Sequence, residues 1–119
     1  MKKILPLLLL TFSTTVYSNW TFVTKNDRGT EFSIDYSTLK VINGYKRVWL
    51  LMSHPDGFSM KNLNEFDCNQ QKYRTISRVS YSEKNGFGEI LNSSNKVSEW
   101  DYPVPGSVSQ TIFKNICKK

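Results

Sequence analysis

Two cysteines constrain the fold of this 119-residue chain more than any other feature. Cys68 ends the run 65–68 (EFDC), and Cys117 lies close to the last residue. One disulfide between them would bring the C-terminal segment back onto the middle of the chain. The two cysteines are 49 residues apart, and closing a loop of 49 residues stabilises a fold by about 4 kcal/mol in the chain-entropy model. An intermolecular disulfide and a metal site are the alternatives, but His54 is the only histidine and the spacing matches no zinc site.

A disulfide requires an oxidising compartment, and the N-terminus predicts export. Residues 1–3 (MKK) are positively charged, residues 4–12 are mostly apolar, and residues 13–18 are small or polar, which is the layout of a secretory signal peptide. We predict a signal peptide at 1–18 and a single mature domain at 19–119. The apolar run is shorter than the roughly 20 residues that span a bilayer, and no cysteine near the cut offers a lipid anchor. The product is therefore expected in the periplasm, outside the cell or at its surface, without a lipid anchor.

The formal charge of the whole chain is +6, and loss of Lys2 and Lys3 with the signal peptide leaves it mildly basic. An exported protein does not meet nucleic acid in its ordinary surroundings, so a positive surface favours acidic protein surfaces, anionic glycans or lipid head groups. The simpler interpretation is a surface kept soluble by its net charge.

Alternating and β-branched segments predict strands at 20–25, 30–35, 45–53, 61–68, 72–81 and 89–91. Asp35 is predicted to cap a short helical turn at 36–39, and Asn43-Gly44 is a strong hairpin signal. The strand 45–53 is apolar on both faces, which predicts a central strand covered on both sides. A C-terminal helix would cover one face, and a second copy of the chain, in a homodimer, is a candidate cover for the other.

Around Cys68 we expect a hairpin with the three-residue loop 69–71. In that register Cys68 lies opposite Lys72, and the residues that share the face towards the helix are Phe66, Cys68, Arg74 and Ile76.

The C-terminal segment predicts an amphipathic helix. Ser107 is a good N-cap, and Gln110 three residues later completes a capping-box pattern. Apolar residues then recur at helical spacing next to Cys117: Val108, Ile112, Phe113 and Ile116.

No arrangement of residues predicts a catalytic or metal site. His54 with Asp35 or Asp56 would have to supply a triad, and nothing in the spacing favours one over a turn residue beside a proline. Glu65 and Asp67 share a strand face as paired carboxylates can in glycosidases, but charge partners for a Lys or Arg on a neighbouring strand are the better interpretation.

Lys72, Arg74 and Arg78 alternate with Tyr73 and Tyr81, a mixture that can hold acidic or glycan ligands. The predicted register directs the three cations towards the helix, with only their tips in solvent, and any exposed strand of a basic protein has a similar composition. They remain the candidate partner-binding residues.

The chain resembles the surface-adhesin protein E family of Gram-negative bacteria over nearly all of the mature domain. The matching positions are Trp20, Val23, Ile34-Asp35, Val48-Trp49, the run 65–68, Tyr73-Arg74, Tyr81-Ser82, Trp100, the run 105–107 and Cys117. The resemblance implies an α+β fold in which a C-terminal helix packs on a single antiparallel sheet of about six strands and is tethered by a Cys68–Cys117 disulfide. It also implies attachment to host extracellular-matrix proteins.

We therefore expect an exported binding module that needs no cofactor or metal, is not an enzyme, and has a protein partner. The alternative is a soluble periplasmic envelope or assembly factor that binds another bacterial protein.

Overall fold

A computed structural model describes residues 19–118; the predicted signal peptide at 1–18 lies outside the described residues. The described chain forms one six-stranded antiparallel sheet in which the strands follow the order of the sequence, and one helix near the C-terminus. This confirms the predicted α+β fold. The elements are β1 (Thr21–Lys25), β2 (Glu31–Ile42), β3 (Tyr45–Ser53), β4 (Ser59–Asp67), β5 (Lys72–Tyr81), β6 (Ile90–Ser94) and α1 (Val108–Cys117).

The predicted turn at Asn43-Gly44 joins β2 to β3, with φ of 52° and 82°. Both residues occupy the left-handed region that a two-residue hairpin loop of type I′ requires, which is why asparagine and glycine suit these positions. The predicted helical turn at 36–39 is wrong, because β2 continues to Ile42 through an irregularity in its pairing with β3. The carboxylate of Asp35 does accept the N–H of Ser37, so the capping hydrogen bond forms inside a distorted strand.

The predicted register of the cysteine hairpin is also wrong. Asp67, not Cys68, pairs with Lys72, so the turn contains the four residues 68–71. Asp67 stabilises this wider turn, because its Oδ1 accepts the backbone N–H groups of Asn69 and Gln70 at 3.1 and 3.0 Å.

One face of the sheet carries the hydrophobic core, and we call it the helix face because α1 packs on it. The ring of Phe66 meets Phe113 of α1 edge-to-face at 5.9 Å. The buried residues of this core are Ile34, Val48, Leu50, Phe66, Ile112, Phe113 and Ile116. The apolar stripe predicted for the helix therefore lies in the same core as residues of the predicted central strand, and the strands nearest to α1 are β1 and β4.

The ends of α1 follow the predicted capping. Ser107 Oγ accepts the N–H of Gln110 at the first turn. At the other end Lys46 of β3 donates to the carbonyl of Ile116 at 3.0 Å, and Cys117 joins Cys68 with their Cα atoms 5.5 Å apart. The disulfide therefore ties the last turn of the helix to the β4–β5 turn, which confirms the predicted tether.

The opposite face of β3 contains Leu51, which is buried within the single chain with 3% of its surface exposed. A short 3-10 turn at 84–86 contacts β3 and β4 on this side, where the backbone N–H of Asn85 donates to Ser53 Oγ and that of Gly86 to Ser59 Oγ. The burial of Leu51 thus needs no second copy, and a homodimer stays a prediction.

Candidate functional site on the open face

The face of the sheet opposite α1, which we call the open face, contains a row of charged residues across three strands. Arg47 of β3 pairs with Glu65 of β4, and Glu65 pairs with Arg74 of β5. Arg47 Nε donates to Glu65 Oε2 at 2.6 Å, and Arg74 donates through Nε and Nη2 to Oε1 at 2.9 and 2.7 Å. The carboxylate is thus held between two guanidinium groups.

Glu65 is almost completely buried, with 1% of its side chain exposed, whereas Arg47 and Arg74 keep 31% and 28%. A buried carboxylate is costly unless it is paired and hydrogen-bonded, and the two arginines satisfy both conditions. Each guanidinium carries five N–H donors. Glu65 takes one from Arg47 and two from Arg74, and the remaining donors make no hydrogen bond within residues 19–118.

Trp100 lies against this row, although it belongs to no strand. Tyr73 and Asp101 form an isolated antiparallel bridge, with Tyr73 N to Asp101 O at 2.9 Å and Asp101 N to Tyr73 O at 2.8 Å. The bridge holds the segment before Asp101 along the edge of β5. The indole ring then lies 4.2 Å from the guanidinium carbon of Arg74 and 4.8 Å from Lys72 Nζ, both within range of cation–π attraction.

These residues form one cationic and aromatic surface. Three cations share this face with two buried carboxylates, Glu65 and Asp67, and the ring of Tyr45 packs edge-on against Trp100 at 5.2 Å. Lys72 forms no ion pair in the part of the chain that the structure describes. We call this group the Trp100 cluster: Tyr45, Arg47, Glu65, Lys72, Arg74 and Trp100.

Two of the three predicted binding residues, Lys72 and Arg74, lie together in the Trp100 cluster. The prediction that they face the helix is wrong. Tyr73, which lies between them in β5, pairs with Phe66 and faces the core, so Lys72 and Arg74 point to the opposite face of the sheet.

Arg78 is exposed and lies apart from the other two cations. An irregularity in the β4–β5 pairing between Leu63 and Asn64 shifts the alternation of side chains, so Arg78 pairs with Asn62 on the helix-face side of the sheet. The three candidates therefore do not share one surface.

The other candidate residues make local structural contacts. His54 Nδ1 and Thr30 Oγ1 share a hydrogen bond of 2.9 Å, and the imidazole stacks on Phe58 at 4.0 Å. Glu65 is a charge partner for neighbouring arginines, as predicted, and Asp67 instead caps the β4–β5 turn.

Within residues 19–118, no group of three or more His, Cys, Asp or Glu side chains is arranged to hold a metal ion. Over the same residues, no helix has the length and apolar character needed to cross a membrane.

The sequence did not predict Tyr45, Arg47 and Trp100 as members of the site. Arg47 lies in the central strand β3. Its place in the site follows from its pairing with Glu65 of β4, which depends on the strand register. Trp100 lies in a polar segment without strand alternation, and a lone tryptophan in such a segment is the signal that could have found it.

The fold resembles solved structures of protein E from Haemophilus influenzae. Crystal form II of that protein has a TM-score of 0.68 at 17% identity, covering 87% of this chain and 91% of that chain. A second structure, of the selenomethionine form, has a TM-score of 0.67 at 17% identity, covering 87% and 89%. A third has 0.60 at 18% identity, covering 89% and 92%. No curated protein sequence shows a significant match to the chain.

The comparison with protein-family models agrees with the structural likeness. The model described as surface-adhesin protein E matches residues 20–118, which includes every strand and the helix. The chain therefore belongs to the surface-adhesin protein E family.

Proposed function

We propose that the chain is an exported, non-enzymatic binding module of the adhesin type, that its partner is a protein, and that host extracellular-matrix proteins are the class it recognises. The observation that carries this proposal is the meeting of Lys72 and Arg74 on Trp100 at the open face. Membership of the surface-adhesin protein E family supports the adhesin part of the proposal.

The chemistry of the cluster suits an acidic protein surface. Glu65 fixes both arginines in place before any partner arrives, so less side-chain entropy is lost on binding. Their unused N–H donors can hold carboxylates in the planar, two-bond geometry that guanidinium groups favour. Trp100 adds a flat apolar surface next to those charges, and tryptophan and arginine are the residues most enriched where binding energy concentrates.

Charge reversal of Lys72 tests the contact surface. Lys72→Glu removes a cation that takes no part in an ion pair of the described chain. It also places a carboxylate opposite the buried Asp67, so circular dichroism of the variant is used to show that the fold is kept. We expect binding to immobilised matrix proteins, measured by surface plasmon resonance, to weaken at least about tenfold, which corresponds to about 1.4 kcal/mol. Lys96→Glu is the matched control, because Lys96 is exposed and lies outside the cluster. Equal binding by Lys72→Glu and the wild type would remove the cluster from the contact surface.

The adhesin proposal itself depends on the wild-type protein. We expect it to bind at least one matrix protein and to be present at the cell surface or in the medium. A product found only in the periplasm, with no affinity for matrix proteins, would favour a periplasmic factor that binds another bacterial protein. Arg78 stays a separate proposed contact, to be tested by Arg78→Glu in the same assay.

A further inference from the structure

A groove opens beside the disulfide, on the helix-face side of the sheet. It lies between the β4–β5 turn, α1 and the segment at 102–103, is open to solvent on one side, and has a volume of about 740 Å³. A volume of this size falls in the range of sites that take small ligands or a few residues of peptide. We call it the disulfide groove.

The lining of the disulfide groove combines three kinds of chemistry. Phe113, Pro103 and the Cys68–Cys117 disulfide provide apolar surface, and Tyr102 adds a ring with 63% of its surface exposed. An apolar side chain placed here would meet carbon and sulfur atoms on several sides.

Three amide side chains also line the groove, those of Gln70, Gln71 and Gln110, and Gln110 Oε1 already accepts the N–H of Gly106. Gln70 and Gln71 make no side-chain hydrogen bond within residues 19–118, although Asp67 fixes the backbone of their turn through the N–H of Gln70. A free glutamine amide has both a hydrogen-bond donor and an acceptor. A peptide backbone also has both, so the two can form paired hydrogen bonds. Gln70 and Gln71 are exposed, so an alkyl chain would leave their amides to water, whereas a peptide backbone can pair with them directly; this difference favours a peptide over a lipid tail.

The charge of the groove is of one sign. Among residues 19–118, Lys114 and Lys118 line it, and no Asp or Glu does. Both lysines are exposed and lie at the end of α1, where the helix dipole already attracts their charge. Each ammonium keeps donors for a carboxylate at the mouth of the groove.

We propose that the disulfide groove binds a short acidic peptide segment. One apolar side chain of the peptide lies against Phe113 and the disulfide, its backbone pairs with Gln70 and Gln71, and its carboxylate meets Lys114 and Lys118. The carboxylate belongs either to an Asp or Glu side chain or to the C-terminus of the peptide. This site is separate from the Trp100 cluster, which lies on the other face of the sheet.

Three pentapeptides, each labelled at its N-terminus with an uncharged fluorophore, test the proposal by fluorescence anisotropy on the oxidised protein. The first places phenylalanine next to aspartate and has an amidated C-terminus. The second has phenylalanine as its last residue with a free carboxylate and no acidic side chain. The third replaces aspartate by asparagine and is amidated, so it carries no negative charge. We expect the first or the second to bind at least about tenfold more tightly than the third, and which one binds identifies the source of the carboxylate.

Variants of the groove complete the test. Lys114→Ala with Lys118→Ala should weaken binding of the charged peptide at least about tenfold, whereas Lys84→Ala with Lys96→Ala, a matched pair of exposed lysines elsewhere, should leave it unchanged. Lys72→Glu should also leave it unchanged, so this proposal and the proposed function can fail independently.

The proposal is overturned by any of four results. These are no binding of either charged peptide up to about 1 mM, equal affinity for the neutral peptide, full binding after loss of both groove lysines, and loss of binding on Lys72→Glu. Far-ultraviolet circular dichroism of each variant excludes unfolding as the cause of a loss.

Discussion

Replacement of Glu65 tests the Trp100 cluster most directly. Its buried carboxylate accepts three N–H groups, one from Arg47 and two from Arg74. Glu65→Gln keeps the shape of the side chain but removes its charge. It also turns one acceptor oxygen into an NH₂ group, which then faces a guanidinium that can only donate. The variant therefore leaves the two arginines next to each other without a counter-charge.

The expected cost follows from the three hydrogen bonds. A bond with an ionised partner contributes about 1.5–3 kcal/mol, and one between neutral groups about 0.5–1.5 kcal/mol. Loss of charge assistance in three bonds therefore costs about 3 kcal/mol before solvent is considered. Arg47 and Arg74 keep 31% and 28% exposure, so water compensates part of the loss. We expect Glu65→Gln to lower the free energy of unfolding by about 2 kcal/mol, which raises the unfolding constant about 30-fold.

Urea denaturation of the oxidised protein, followed by far-ultraviolet circular dichroism, measures this change. The midpoint should fall without a change in slope, because the same surface is exposed on unfolding. Glu99→Gln is the matched control: Glu99 carries the same charge, is exposed and forms no ion pair within residues 19–118, so its replacement should stay within about 0.5 kcal/mol of the wild type. If Glu65→Gln also stays within that range, the two arginines do not stabilise the fold through this carboxylate.

Three further changes test the rest of the fold by the same denaturation assay. Replacing Cys68 and Cys117 by serine should cost about 4 kcal/mol, the loop-entropy value for their 49-residue separation; a loss below about 1 kcal/mol would contradict a tether that restrains the unfolded chain. Ser107→Ala should cost about 1 kcal/mol because the N–H of Gln110 loses its acceptor, and a neutral result would show that the cap contributes nothing. Gly44→Ala should cost about 1 kcal/mol through its φ of 82° alone, since no atom lies within 4 Å of the added carbon; unchanged stability would refute strain in this turn.

The elements that the sequence predicted well depend on local rules. Asn43-Gly44 can adopt positive φ at both positions, so these two residues are enough to predict the β2–β3 hairpin. Ser107 and the apolar stripe after it likewise define α1 within about three turns of chain. Export, which favoured disulfide pairing, was inferred from the N-terminal residues alone.

The faces of β5 could not be read in this way, because a single residue of register decides them. A three-residue turn would have put Arg74 on the helix face, and the actual four-residue turn puts it on the open face. The pairing irregularity between Leu63 and Asn64 then reverses the alternation again before Arg78. No short sequence motif comparable to Asn-Gly predicts the length of this turn or the position of the irregularity. Both depend on which strand register buries more apolar surface, and this is a property of the whole sheet.

Because side chains alternate along β4 and β5, the residues of this hairpin that pack against α1 and the residues proposed to bind a partner lie on opposite faces of the sheet. Phe66 and Tyr73 pack towards the core, where the Tyr73 hydroxyl donates to Ser109 of α1, while Glu65 and Arg74 face the other way. Substitutions on the core side should therefore change stability first. Changes at the exposed side chains of the Trp100 cluster should change binding first. Replacement of Glu65 should change both stability and binding, because its buried carboxylate stabilises the paired strands and also orients the two arginines.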